Sequence, residues 1–96
     1  MKTILLIDDS QVDRKIAAAT LKRDFKVIEA EDGHSGLQKL GEDHVDIILL
    51  DVNMPGLGGP ETLREIRRLG LDTPVILLTG EVRTNIISEM MSDGIA

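Results

Sequence analysis

The chain has 96 residues, enough for one small domain, and a domain of this size buries a smaller share of its surface than a larger one. Its 42% hydrophobic and 29% charged residues are typical of a soluble globular protein and exclude a disordered or membrane-spanning chain. A net charge of −6 opposes direct binding to nucleic acids or anionic membranes, and the lack of cysteine excludes disulfides and thiolate metal sites. With no signal-peptide pattern at the N-terminus, we expect a cytoplasmic protein.

Short apolar runs alternate with helical spacing along the chain, which is the pattern of successive βα units. Strands are predicted at residues 3–7, 27–30, 46–50 and 75–78. Helices are predicted at residues 11–23, 33–40, 60–69 and 83–92. This alternation predicts an α/β fold with an open parallel sheet.

Two of the predicted helices carry end signals. Ser10 and Asp13 have the spacing of a capping box at the start of the first helix. Pro60 stands near the start of the third helix and Gly70 at its end, where these residue types are favoured.

A glycine-rich stretch follows the third predicted strand. Its spacing does not match the dinucleotide-binding pattern G-x-G-x-x-G, because Glu61 occupies the place of the third glycine. We therefore expect Gly56, Gly58 and Gly59 to provide turns with positive φ.

The predicted strands differ in how apolar their two faces are. The first, third and fourth are apolar on both faces, as buried strands are, whereas the second alternates like a partly exposed edge. Right-handed crossovers with the second strand outermost give the order 2-1-3-4, with a switch point between strands 1 and 3. The apolar fourth strand then lies at the other edge. This indicates that a fifth βα unit is missing, and an exposed apolar edge would favour a homodimer or strand exchange.

Carboxylates stand at the ends of two of the apolar runs. Asp8 and Asp9 follow the first strand and Asp51 follows Leu50, and open α/β sheets bind ligands at the carboxyl ends of strands beside a switch point. Three carboxylates there repel one another unless a cation compensates, and ligands that are all oxygen suit Mg²⁺. Each aspartate alone could simply cap a helix, but capping does not explain the convergence of all three.

The same edge also offers groups for phosphoryl chemistry. Aspartate is a known covalent nucleophile towards phosphoryl groups. The hydroxyl of Thr79 and the backbone N–H of Gly80 follow the fourth strand and could donate to a transferring phosphoryl group.

Three segments resemble the receiver domain of bacterial two-component response regulators. They are residues 4–10 (ILLIDDS), 47–59 (IILLDVNMPGLGG) and 74–80 (PVILLTG), and the resemblance extends over residues 3–96. It implies a flavodoxin-like, doubly wound fold and a single receiver domain over residues 1–96. That domain would be incomplete at its C-terminus, because the family's switch aromatic and phosphate-contacting lysine would lie past Ala96. Gly58 also stands where the family commonly has aspartate.

The resemblance further implies a role for each acidic residue. Asp51 would accept a phosphoryl group from a sensor histidine kinase or a histidine phosphotransfer protein. Asp9 and Asp51 would ligate Mg²⁺ directly, Asp8 would act through a bound water, and Asn53 would contribute its backbone carbonyl.

Other residues would respond to the phosphorylated state. By the same resemblance, Thr79 would move towards the new phosphate, beside the N–H of Gly80. The side chains of Asn53 and Glu81 would set how fast the phosphoryl group is hydrolysed. A downstream protein or an attached output domain would detect the change.

Two other functions are compatible with parts of the sequence. A degenerate receiver that only binds partner proteins is favoured by the missing lysine, but the intact acidic residues oppose it. An aspartate-nucleophile phosphatase of the haloacid dehalogenase type needs a second aspartate two residues after the nucleophile. Asn53 stands there and cannot act as a general acid. We therefore predict a signalling phosphoacceptor that is not an enzyme.

Overall fold

A computed structural model describes residues 1–52 and 58–78 of the chain. In chain order the elements are β1 (Thr3–Ile7), α1 (Gln11–Leu21), β2 (Lys26–Ala30), α2 (Gly33–Glu42), β3 (Ile47–Asp51), α3 (Gly59–Arg68) and β4 (Val75–Leu78). The predicted alternation of strands and helices is confirmed in this part of the chain. The helix predicted at residues 83–92 lies outside it. Within the described residues, no helix is both long and apolar enough to cross a lipid bilayer.

The strands form one parallel sheet in the order β2-β1-β3-β4. This confirms the predicted order and the position of β2 at an edge. Between the two central strands, the register runs from Ile4 opposite Ile47 to Ile7 opposite Leu50. The carboxyl ends of β1 and β3 therefore lie side by side, and the residues that follow them meet at one edge of the sheet.

Side chains on the two faces of β1 pack into two separate clusters. Leu5 and Ile7 belong to a buried cluster on one face of the sheet that also includes Leu63 of α3. Leu6 points to the other face and packs with Ala18 of α1. Because helices cover both faces, residues 4–7 of β1 are all apolar and buried.

The strand β4 is outermost in the described part of the sheet. Val75 is fully buried, whereas Ile76 is 45% exposed. The described residues thus leave β4 at the edge, as the order 2-1-3-4 requires. The homodimer or strand exchange expected from this edge stays a prediction.

The predicted end signals at Ser10, Pro60 and Gly70 are confirmed, although α1 ends at Leu21, two residues before the predicted end, and α3 spans Gly59–Arg68. Ser10 is the N-cap of α1, and its Oγ accepts a hydrogen bond from the backbone N–H of Asp13 at 3.3 Å. Pro60 lies in the first turn of α3. Gly70 follows the end of α3 with φ of +80°, a conformation that only glycine adopts without strain.

The helix α2 packs closely on β1 through Gly36. A Cβ atom at residue 36 would lie 2.9 Å from Cγ1 of Ile7, whose side chain is fully buried, whereas a Cβ at Gly41 would meet no atom within 4 Å. We expect Gly36→Ala to lower the free energy of unfolding by about 1–3 kcal/mol, because the added methyl overpacks the core.

The matched variant is Gly41→Ala in the same helix. It should raise the free energy of unfolding by up to about 1 kcal/mol, because alanine has the higher helix propensity. Urea unfolding followed by far-UV circular dichroism compares the two variants. A change of the same sign in both would contradict the close packing of α2 on β1.

Candidate functional site

Three carboxylates meet at the carboxyl edge of the sheet. Asp8, Asp9 and Asp51 each offer an oxygen atom, and these atoms lie within 4.8 Å of one another. Asp8 is buried, Asp51 is half-buried and Asp9 is exposed. The fold thus brings together three of the predicted site residues, with solvent access on the side of Asp9.

Asp8 is held in place through several of its polar atoms. Its backbone N–H donates to the carbonyl of Ala30 at 3.0 Å, which continues the contact between β1 and β2 by one residue. Its carboxylate Oδ1 accepts from the backbone N–H of Ser10 at 2.9 Å, and its carbonyl oxygen accepts from Nη1 of Arg14 at 2.8 Å. The turn between β1 and α1 is therefore closely constrained.

Asp51 is the last residue of β3, whereas the predicted strand ended one residue earlier. It lies opposite Leu78 of β4, and the next backbone N–H, that of Val52, donates to the carbonyl of Leu78 at 3.1 Å. Pairing with β4 extends the strand in this way. The backbone of Asp51 is therefore fixed by the sheet, and its side chain stands at the rim.

The start of α3 comes close to the backbone after β3. A Cβ atom at Gly59 would lie 3.0 Å from the carbonyl oxygen of Asp51 and 3.0 Å from Cα of Val52. Both neighbours are backbone atoms, so a larger residue would have to displace α3 or the end of β3. Gly59 therefore helps to set where Asp51 lies.

This geometry corrects the expectation about the glycine-rich stretch. Gly58 has φ of −72° and Gly59 is helical, so the predicted positive φ is wrong for both. Gly56 lies outside the described residues. The sequence showed only that residue 59 is glycine. The structure shows why: the start of α3 lies close to the backbone at the end of β3, and no local sequence pattern reveals such an approach.

A cluster of ions beside the carboxylates was missed by sequence reasoning. Glu29 on β2 contacts Nε of Arg14 at 3.2 Å, Nζ of Lys15 at 3.2 Å and Nζ of Lys22 at 3.9 Å. Burial acts to raise the pKa of Glu29, but the hydrogen bonds and charges of Lys15, Arg14 and Lys22 outweigh it and hold that pKa below its ordinary value. The only sequence signal was the charged residue within the alternating pattern of β2.

Four of the predicted site residues lie outside the described part of the chain. They are Asn53, Thr79, Gly80 and Glu81. The predicted ligand, switch and hydrolysis roles of these residues stay predictions.

The three carboxylates could hold a metal ion. All of their ligand atoms are oxygen, and one of the three residues is open to solvent. Mg²⁺ is bound by a few carboxylates and keeps several waters, so this donor set suits it.

The sequence of the chain is similar to those of known proteins. Residues 4–96 match the family described as the response regulator receiver domain. The sensor histidine kinase RcsC of Escherichia coli is 40% identical over 77 residues, which are 79% of this chain and 8% of the kinase. The transcriptional regulatory protein DltR of Streptococcus agalactiae is 31% identical over 84 residues, which are 88% of this chain and 38% of the regulator. The chain thus spans a minor part of the length of either relative.

The fold of the chain is also similar to that of solved structures. The chemotaxis protein CheY4 of Vibrio cholerae superimposes with a TM-score of 0.93 at 31% identity, and the match covers all of this chain and 82% of that protein. A response regulator receiver domain protein of Clostridium thermocellum gives a TM-score of 0.92 at 28% identity, covering 99% of this chain and 78% of that one.

Proposed function

Because the chain belongs to the response regulator receiver domain family, we propose that it accepts a phosphoryl group on Asp51 and signals this state to a partner protein. The observation that carries the proposal is the convergence of Asp8, Asp9 and Asp51 within 4.8 Å at the carboxyl edge of the sheet. A sensor histidine kinase and a transcriptional regulatory protein are among the relatives. Those relatives support a phosphoacceptor role in two-component signalling.

The transfer itself is a substitution at phosphorus. A carboxylate oxygen of Asp51 attacks the phosphorus of a phosphohistidine on a kinase or phosphotransfer protein. The new O–P bond forms as the P–N bond breaks, and the imidazole nitrogen keeps the electron pair of that bond. Pairing with β4 and the close approach of Gly59 hold the backbone of Asp51, so its half-buried carboxylate meets the donor in a fixed position.

We propose Mg²⁺ as the cation of the acidic cluster. Asp9 and Asp51 would ligate it directly, Asp8 would act through a water, and the carbonyl of Asn53 would complete the protein ligands. When bound, Mg²⁺ supplies positive charge that offsets the negative charge on the transferring phosphoryl group. One carboxylate oxygen of Asp8 already accepts from Ser10, which supports an indirect role for that residue.

The remaining roles are proposed from the resemblance to the receiver domain family. Thr79 and Gly80 would donate to the phosphoryl group, and the side chains of Asn53 and Glu81 would set the rate of its hydrolysis. The partners would be a sensor histidine kinase or phosphotransfer protein and a downstream protein or output domain. A cytoplasmic location stays a prediction.

The three clustered carboxylates also separate this function from the alternatives. A domain that acts only by binding proteins has no need for three mutually repelling carboxylates at one edge of its sheet. A phosphatase of the haloacid dehalogenase type requires a second aspartate where this chain has Asn53. We therefore propose a signalling phosphoacceptor rather than an enzyme that turns over a substrate.

A small phosphodonor tests the proposal. The chain is incubated with acetyl phosphate in Mg²⁺ or in EDTA, and its intact mass is measured. We expect the mass of one phosphoryl group to be added only with Mg²⁺, and hydroxylamine to remove it, because acyl phosphates react with that nucleophile. No added mass in either condition would support the interaction-only alternative, and a product stable to hydroxylamine would contradict an aspartyl phosphate.

A further inference from the structure

Arg14 connects the acidic edge of the sheet to Glu29 on β2. Its side chain is 12% exposed. Nη1 donates to the carbonyl oxygen of Asp8 at 2.8 Å, and Nε donates to Oε1 of Glu29 at 3.2 Å. A guanidinium is planar and rigid, so two hydrogen bonds made by different nitrogens fix its position and orientation.

The carbonyl that Arg14 holds belongs to the peptide group between Asp8 and Asp9. The orientation of this peptide group decides the direction in which the Asp9 side chain leaves the backbone. Within residues 1–52 and 58–78, no hydrogen bond or ion pair involves the exposed carboxylate of Asp9. The placement of that carboxylate in the described structure therefore depends on its backbone.

Glu29 provides the anchor for Arg14. It lies on β2 opposite Leu6 of β1, and it is 18% exposed. Lys15 and Lys22 share the same carboxylate but are 60% and 57% exposed, and the structure records no contact between either of them and Asp8. Within the described residues, Arg14 alone spans the distance between Glu29 and the backbone of Asp8.

We propose that Arg14 is a positioning residue for the acidic site: Glu29 holds its guanidinium, and the guanidinium holds the Asp8–Asp9 peptide so that both carboxylates face one divalent cation. This inference rests on the proposed Mg²⁺ site and adds to it a residue that touches neither the metal nor the phosphoryl group.

Charge and positioning predict opposite effects of removing Arg14 on Mg²⁺ affinity. A cation near the site repels Mg²⁺, so its loss would strengthen Mg²⁺ binding if Coulomb energy were the only contribution. Loss of positioning instead weakens binding, and partners that orient metal ligands typically contribute roughly tenfold or more in affinity. The sign of the change therefore distinguishes the two explanations.

The test is a titration of the full chain with Mg²⁺. Calorimetry measures the affinity, and NMR monitors the backbone amide signals of Asp9 and Ser10. We expect Arg14→Ala to bind Mg²⁺ roughly tenfold more weakly. Arg14→Lys should also bind more weakly although it keeps the charge, because one ammonium does not reproduce the two-point guanidinium contact. Because Arg14→Lys keeps a positive charge beside Glu29, we expect it to fold. The test can therefore be made with Arg14→Lys even if Arg14→Ala does not fold.

Lys15→Ala is the matched control. It removes a neighbouring cation from Glu29 and leaves the contact with Asp8 intact, so Mg²⁺ affinity should stay within about twofold of the wild type, since an exposed ion pair contributes little. Unchanged or tighter binding in the Arg14 variants, with normal binding in the wild type, would overturn the positioning role alone. A wild-type chain that binds no Mg²⁺ would overturn the proposed metal site as well.

Discussion

Asp51→Asn is expected to abolish the phosphoryl label that acetyl phosphate and Mg²⁺ introduce. An amide is nearly the same size as a carboxylate but lacks its charge and nucleophilicity, so no acyl phosphate forms. The fold should remain, because the residue is held in β3 by backbone pairing with β4. Intact mass and hydroxylamine sensitivity measure the label, and circular dichroism measures the fold.

A variant at the other end of the same strand serves as the control. Asp46 lies just before β3, where its carboxylate accepts from the N–H of Thr3 at 2.8 Å and contacts His44 at 2.9 Å. Asp46→Asn changes the net charge by the same amount but leaves the acidic cluster intact, so it should still be labelled. A label of undiminished size in Asp51→Asn would mean that another residue is the phosphoacceptor.

Asp9→Ala is expected to weaken Mg²⁺ binding by at least about tenfold, which corresponds to about 1.4 kcal/mol. The variant loses a carboxylate that is exposed to solvent and lies within 4.8 Å of Asp8 and Asp51. Without metal, the same change should raise the free energy of unfolding by on the order of 1 kcal/mol, because repulsion among the three carboxylates is relieved. Calorimetric titration measures the affinity, and urea unfolding with and without Mg²⁺ measures the stability.

The response of stability to Mg²⁺ gives a second measure of the same site. A ligand that binds only the folded state stabilises it, so Mg²⁺ should raise the unfolding free energy of the wild type far more than that of Asp9→Ala. Asp13→Ala is the control, since Asp13 is an exposed acidic residue of the first turn of α1 and lies outside the cluster. Equal loss of Mg²⁺ binding in both variants would show a general effect of charge and remove Asp9 from the site.

The strand order and the acidic edge could be predicted because each depends on a local pattern. A strand covered by helices on both faces must be apolar along its length, as residues 4–7 and 48–50 are. A carboxylate is too costly to bury inside such a strand without a partner, so it appears at the end of the run. Once parallel strands are inferred, their carboxyl ends must lie at one edge of the sheet. Asp8, Asp9 and Asp51 are therefore predicted to lie close together.

The contacts that set the geometry of this edge could not be predicted in the same way. Arg14 meets Glu29 only because α1 lies over the β1–β2 pair at one particular register, and Gly59 is required only because α3 starts against the backbone of Asp51. These contacts join segments whose relative placement depends on the packing of the whole sheet. The sequence by itself determined which acidic residues end the apolar strands and meet at one edge of the sheet, since burial and charge act residue by residue. The tertiary structure decided how those residues are held, because that depends on distances between elements far apart in the chain.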